Sequence, residues 1–522
     1  MSWTRPLRAF LPALLGAGLL AAAPRTTPAP DTGLDRARAL HVLNRLAFGP
    51  RPGDVEGVAA LGVDAWIDQQ LHPERLPEPD LRRRLAGFDT LELDAAGLMA
   101  GYGVPPAARR ELQAKRAELG PDPTRDDLRR ARLEVLTRYR DRMQGRPREV
   151  LEELQAAKLV RAAYAERQLQ EVLTDFWLNH FNVYARKGPV LYLVGPYERD
   201  VIRPRVLGRF EDLLRATAES PAMLFYLDNW LSSADAPAPA RAAPGRRRGL
   251  NENYARELLE LHTLGVDGGY TQRDVTEVAR CFTGWTLRGL GRQRPEFAFV
   301  ARLHEPGDKL VLGRRIRSGG QREGEQVLHL LATHPSTARF VSLELARRLV
   351  ADDPPAGLVE RAARTFRESG GDLRALVLSI VGSPEFFAAE NRQAKLKTPF
   401  EFVVSALRAS GADAFDARAL GRRLAEMGMP LYLDQPPTGY PDTAQAWAGS
   451  GALLARLNFA LELSAGALPG VELDPARVST AALVPGGLSE TTLRALGDES
   501  AGRLPRSRRV GLLLGSPEFQ RR

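Results

Sequence analysis

Apolar residues recur at three- and four-residue intervals over most of this chain, the period of helices that bury one stripe of their surface. Leu40, Val42, Leu43 and Leu46, then Val63, Trp66, Ile67 and Leu71, predict short amphipathic helices broken at Pro50, Pro52 and Gly62. Longer helices are predicted over Pro106 to Leu119, Arg125 to Met143 and Arg148 to Val183, the first two so highly charged that they should lie exposed. Ser220-Pro221 sets a capping hydroxyl before a first-turn proline, and Thr271 is placed to cap a later helix. Helices resume from Pro335, Gly371, Thr398 and Asp416. The alternating run Phe297-Ala298-Phe299-Val300-Ala301 predicts a β-hairpin that turns at Pro306-Gly307-Asp308 and returns through Leu310-Val311-Leu312. Gly382-Ser383-Pro384-Glu385-Phe386 recurs as Gly515-Ser516-Pro517-Glu518-Phe519, which reads as one helix-turn device used twice. The expected fold is mainly α: a multi-helical globular array with one small β-hairpin and long Pro/Gly-rich loops.

The chain's ends and linkers divide it further. Arg5 and Arg8 precede an apolar run from Ala9 to Ala23, short for a bilayer span and suited to an export signal. Residues 1–23 are therefore expected to be a signal peptide or N-terminal anchor, 24–33 a Pro/Thr-rich linker, and 34–522 a single large helical domain. A flexible loop is expected over about 232–249. Export places the protein in the periplasm, at the cell surface or outside, with membrane contact only through the N-terminal segment if that is retained.

Composition narrows the function classes. The net charge of +9 comes from charges interleaved along helices, which reads as solvated helix faces with i,i+4 pairing; no nucleic-acid partner is expected. The one dense basic cluster, Arg246-Arg247-Arg248, falls in the Pro/Ala-rich loop. The single cysteine, Cys281, excludes an intramolecular disulfide and Cys-rich metal sites, and its apolar helical neighbours make it a core residue. No Gly-x-Ser-x-Gly elbow, P-loop, dinucleotide fingerprint or His-Glu-x-x-His motif occurs.

Candidate chemistry enters where polar side chains fall on apolar helix faces. His180 sits near the centre of the stripe formed by Leu169, Val172, Leu173, Phe176, Trp177 and Val183. In the helix expected from Leu250 to Leu264, Glu257 projects between Leu264 and Leu250, and His262 between Leu258 and Ala255. Buried carboxylates and imidazoles need partners. In one reading His180, Glu257 and His262, with Asn251 or Asn253, form a proton-transfer site or hold a divalent metal ion. In the other they are satisfied by Arg186, Arg256, Arg280 and helix ends, and serve packing. Glu252, Arg256 and Glu260 are spaced for i,i+4 pairs on the polar face. His304, with Glu305, Asp308 and Lys309 near the hairpin turn, is either an exposed turn residue or part of a flap over a cleft. His41 and Arg45, one helical turn apart, suggest packing or a polar pair, and the run from Met429 to Pro441, rich in Pro and aromatics, can line a cleft or cover the core.

Several of these runs together are similar to a bacterial family known as domain of unknown function 1800: His41 to Gly49, Phe176 to Phe181, Met223 to Asn229, and above all Asn251 to Gly265 with Phe282-Thr283-Gly284-Trp285. The likeness continues through His304, Lys309 and Gly313, Lys397 to Phe402 and the final Ser516-Pro517-Glu518-Phe519, with Met429 and Tyr440 standing where the family pattern has Gln and Trp. The resemblance implies an exported helical protein, often encoded beside a second exported family similar to alkaline phosphatases and sulfatases, which becomes a candidate partner. It implies no particular reaction. An extracellular polymer is the expected substrate if the polar site is catalytic; a non-catalytic interaction or assembly protein is the alternative.

Overall fold

Short polar side chains and prolines, more than propensity, set where the helices of this chain start. In the computed structural model Ser220 accepts from Ala222 N, Thr271 and Thr398 each build a capping box, and Asp372 and Asp416 cap the helices that follow them. The two copies of the repeated pentapeptide behave alike: Ser383 accepts from Phe386 N and Ser516 from Phe519 N, each opening a single helical turn. The structure describes residues 32–234, 249–290, 294–412, 415–471, 478, 483–484, 487–496 and 505–522. The export segment, the linker as far as residue 31 and most of the 232–249 loop, including Arg246 to Arg248, lie outside the described residues.

The elements that position the site are α1 (Thr32–Arg45), α2 (Pro147–Tyr164), α3 (Gln168–His180), α4 (Asn253–Leu259), α5 (Gln321–Ala332), α6 (Pro335–Leu349), α7 (Pro399–Ser410) and α8 (Ser450–Ser464). The fold is mainly α. One contiguous apolar core runs from Val42 and Leu46 through Trp177, Phe181, Phe210, Tyr254 and Trp285 to Phe402 and Phe519. The charged pair Pro106–Glu118 and Arg125–Arg138 stands out from this core, with only Ala108 and Val135 buried. No helix of the described residues is long and apolar enough to cross a membrane.

Three expectations need correction. The helix predicted from Arg148 to Val183 is two helices, because Gln168 stops the first and starts the second: its amide donates to the carbonyls of Ala162 and Ala165 and accepts from Phe48 N. The helix predicted from Leu250 to Leu264 is α only over Asn253–Leu259 and widens into a π-turn at Glu260–Leu264, which rotates the side chains after Leu259 away from the ideal wheel. The predicted hairpin is not one hairpin but halves of two. Strands β1 (Trp285–Arg288) and β2 (Glu296–Phe299) pair antiparallel, as do β3 (Lys309–Val311) and β4 (Arg314–Ile316). The alternation of Phe297 to Phe299 does mark a strand; its partner is upstream, where Trp285 is buried opposite Phe299.

Candidate functional site

Two asparagines one helical turn apart carry the construction of the site. At the end of α3, Asn179 Nδ2 donates to Tyr440 O at 2.8 Å while its Oδ1 accepts from Tyr440 N at 2.8 Å. Asn182 Nδ2 donates to the carbonyls of Pro436, 2.7 Å, and Asp434, 3.2 Å. The hydroxyl of Tyr226 donates to Gln435 O at 2.6 Å and that of Tyr440 to Pro430 O at 2.7 Å. These bonds hold the Met429 to Pro441 loop as the wall of a cleft of about 320 Å³ between α3, α6 and α7. The loop therefore lines a cleft, one of the two alternatives its composition left open.

Gly439 lets the loop approach. Its φ is +68°, and a Cβ there would lie 2.5 Å from Asn179 O and 2.6 Å from Asn179 Oδ1. We expect Gly439→Ala to lose about 2 to 3 kcal/mol from left-handed strain and displaced loop hydrogen bonds. A denaturant melt that puts the variant within about 0.5 kcal/mol of the parent, a difference such curves barely resolve, would show that the loop is not held this way.

The cleft floor is ionic. Arg348, buried on α6, reaches Glu401 at 3.0 Å, Asp175 at 3.3 Å and Asp442 at 3.8 Å. Lys158 holds the other side of Asp175 at 2.7 Å, and Arg522 approaches Glu401 at 3.1 Å. Burial pushes the Glu401 carboxyl up, but Arg348 and Arg522 outweigh it and bring it down to about 2. On the wall, Glu344 pairs with Arg347 and is nevertheless raised by burial. Asp434 is raised by burial too, and among the described residues its buried Oδ2 has no hydrogen-bond partner.

Of the residues singled out in sequence, His180 lines this cleft and is half-buried rather than sealed, since α3 ends there and opens onto the loop. His180 Nε2 meets the backbone oxygen of His262 at 3.1 Å, and burial lowers its pKa to about 4. His262 sits behind it, 2% exposed, with ring centroids 6.4 Å apart; burial and then the His180 charge lower it to about 3. Both rings are therefore neutral at pH 7. Glu257 is not in the cleft; burial, then Glu260, raises its carboxyl. Among the described residues no three His, Cys, Asp or Glu side chains come together as metal ligands, so the expected metal set of His180, Glu257 and His262 is not assembled.

The other candidates are structural in their contacts. Asn251 donates to Leu227 O and accepts from Asn253 N, fixing the start of α4. Arg256 bonds Gln272 and Glu252, while Glu260 accepts from Tyr270 instead of Arg256 because the π-turn carries it away. Arg280 pairs with Glu277 and Glu305, not with either histidine. His304 is no exposed turn residue: its side chain is 7% exposed, 3.0 Å from Glu323, whose other oxygen holds the buried Lys309 at 2.6 Å. This triad ties the β2–β3 connection to α5. His41 packs edge-on against Phe386 at 4.7 Å, and Arg45 donates to Asn391 O.

Sequence reasoning missed Asp434, Glu344, Arg348 and Glu401. Arg348 falls on the Val341, Leu345, Leu349 face of α6, so the wheel argument that found His180 would have found it; Glu401 shares its side of α7 with Ser405 and Arg408, which the wheel reads as a polar face. Nothing local distinguishes Asp434. No curated protein and no solved structure matches the chain. The family described as "Protein of unknown function (DUF1800)" matches it over residues 41–521, and the chain belongs to that family.

Proposed function

We propose that this is an exported protein that binds a segment of a neutral, hydroxyl- or amide-rich extracellular polymer in the α3–α6 cleft and acts on it by proton transfer, with Asp434 as the acid. The observation that carries this is Asp434 itself: a carboxyl lining the cleft, raised by burial, with a buried oxygen that no group among the described residues satisfies. A carboxyl shifted in this direction, and paired with no cation among the described residues, is the one in the cleft suited to donate to a leaving oxygen. The remaining charges are already neutralised against one another, Lys158 and Arg348 on Asp175, and Arg347 on Glu344. A charged ligand would have to break those pairs, whereas a neutral one would pack on His180 and the rings of Phe176, Phe340 and Tyr440 and leave the pairs intact.

The test is titration of neutral β-glucan and chitin tetramers into the protein, with products followed by chromatography. Binding of at least one oligomer is expected, and Asp434→Asn should keep that binding while product formation falls by about a hundredfold. Failure of every neutral oligomer to bind, or an Asp434→Asn variant as active as the parent, would sink the proposal. A second reading, a non-catalytic protein docking a co-exported sulfatase-like partner, is favoured by the exposed Arg-rich pair Pro106–Glu118 and Arg125–Arg138, which buries almost nothing of itself. Loss of co-purification on deleting that pair, with oligomer binding unchanged, would identify it.

A further inference from the structure

Near the α7 N-terminus lies a smaller cavity that shares no lining residue with the cleft. Thr398 lines the cleft, whereas Lys397 and Ser405 line this second site with Asn44 of α1, Gln393, Glu518 and Arg521. Lys397 Nζ donates to Phe519 O at 2.6 Å and meets Ser405 Oγ at 2.8 Å. Helix serines elsewhere in the chain, Ser379 and Ser410, give their hydroxyl protons to the carbonyl three residues back. Among the described residues Ser405 shows no such bond; its oxygen is turned to the amine. Gly49 makes room for it: φ is +90°, and a Cβ at that position would come within 2.7 Å of Ser405 Oγ and 3.8 Å of Asn44 Oδ1.

We propose that Ser405 and Lys397 are a nucleophile and base pair that takes a small acyl group from an ester, with the Asn44 amide facing the carbonyl oxygen. A hydroxyl within hydrogen-bond reach of a base that is itself oriented by a third group is the arrangement nucleophilic catalysis needs, and here Phe519 O orients the amine. The neutral amine takes the Oγ proton as Oγ bonds to the ester carbonyl carbon. The carbon–alkoxy bond then breaks, the alcohol leaves with the proton returned by Lys397, and water, activated by the same amine, releases the carboxylic acid. The site is specific by size, since its volume of about 20 Å³ admits little more than one small group. Burial of Lys397 lowers its pKa to about 7, with Glu401 on α7 opposing and Arg522 and Arg456 assisting. Glu518 and Arg521 also face the cavity. The pair works independently of the cleft.

The test is incubation of the full chain with p-nitrophenyl acetate at pH 6 and pH 8, followed by peptide mapping. A hydroxylamine-labile acetyl group is expected on Ser405, formed about tenfold faster at the higher pH as the amine deprotonates, and levelling above it. It should be absent from Ser405→Ala, which loses one hydrogen bond to Lys397 and should stay folded with a somewhat lower melt, and from Lys397→Met. The parent's pH profile decides the matter even if the lysine variant does not fold. Acetylation confined to other residues, or a Ser405 rate that climbs in proportion to hydroxide without levelling, overturns the proposal.

Discussion

Lowering the pH from about 7.5 to about 5 is expected to cost this protein about 4 kcal/mol of folding stability through two buried histidines alone. Burial, and then the nearby Arg45 charge, lowers His41 to about 3; burial and His180 do the same to His262. Both groups have folded values below the ordinary 6.5, so the unfolded chain binds protons first as the pH falls. Their contribution is intact above 6.5 and is lost progressively from there down to about 3. At pH 5 each accounts for about 2 kcal/mol, one and a half pH intervals at about 1.36 kcal/mol each. His180, lowered to about 4 but half-buried, adds a smaller amount in the same direction. Denaturant melts at the two pH values measure the sum, and His262→Leu should remove about half of the difference. Equal stability at both pH values would mean that the protonated rings gain acceptors that are not among their present contacts. In the exported setting proposed for the protein the effect is consequential, because an envelope protein meets external pH directly.

How much of this was legible in the sequence follows from which interactions are local. Thr271, Thr398, Asp416 and the twin Ser-Pro turns act within four residues, so the pattern alone locates the helices they cap. His262 is buried, as the ideal wheel expects, even though the π-turn shifts it off that wheel. His304 is misplaced by sequence reasoning because its partner Glu323 lies beyond a turn whose strand pairing the alternation alone does not reveal. The cleft is the least legible feature. Asn179 and Asn182 signal a polar stripe on α3, but that they hook backbone carbonyls more than 250 residues away depends on long-range packing. Asp434 is chosen by that packing too: within Leu433-Asp434-Gln435 nothing marks which polar residue faces inward.

Arg348→Met should be among the most damaging single changes in the chain, costing about 3 to 5 kcal/mol. The guanidinium is 4% exposed and serves three carboxylates, and removing it would leave their charges in a low-dielectric site with too few cations. The loss is shared unequally. Asp175 keeps Lys158 and Glu401 keeps Arg522, so each retains one partner, while Asp442 is left to Lys395 and Arg522 at 3.5 and 3.8 Å. Glu401 carries most of the cost, because its carboxyl is held down to about 2 by Arg348 and Arg522 against burial that would raise it. Neutralising it alongside, in Arg348→Met/Glu401→Gln, should therefore recover about 1 to 3 kcal/mol of the single variant's loss, a coupling that a double-mutant cycle measures directly. Arg348 also floors the cleft, so its removal should weaken oligomer binding together with stability, whereas Asp434→Asn should affect catalysis alone. A single variant less than about 1 kcal/mol below the parent, or a double variant whose losses simply add, would show that water rather than Arg348 neutralises the floor.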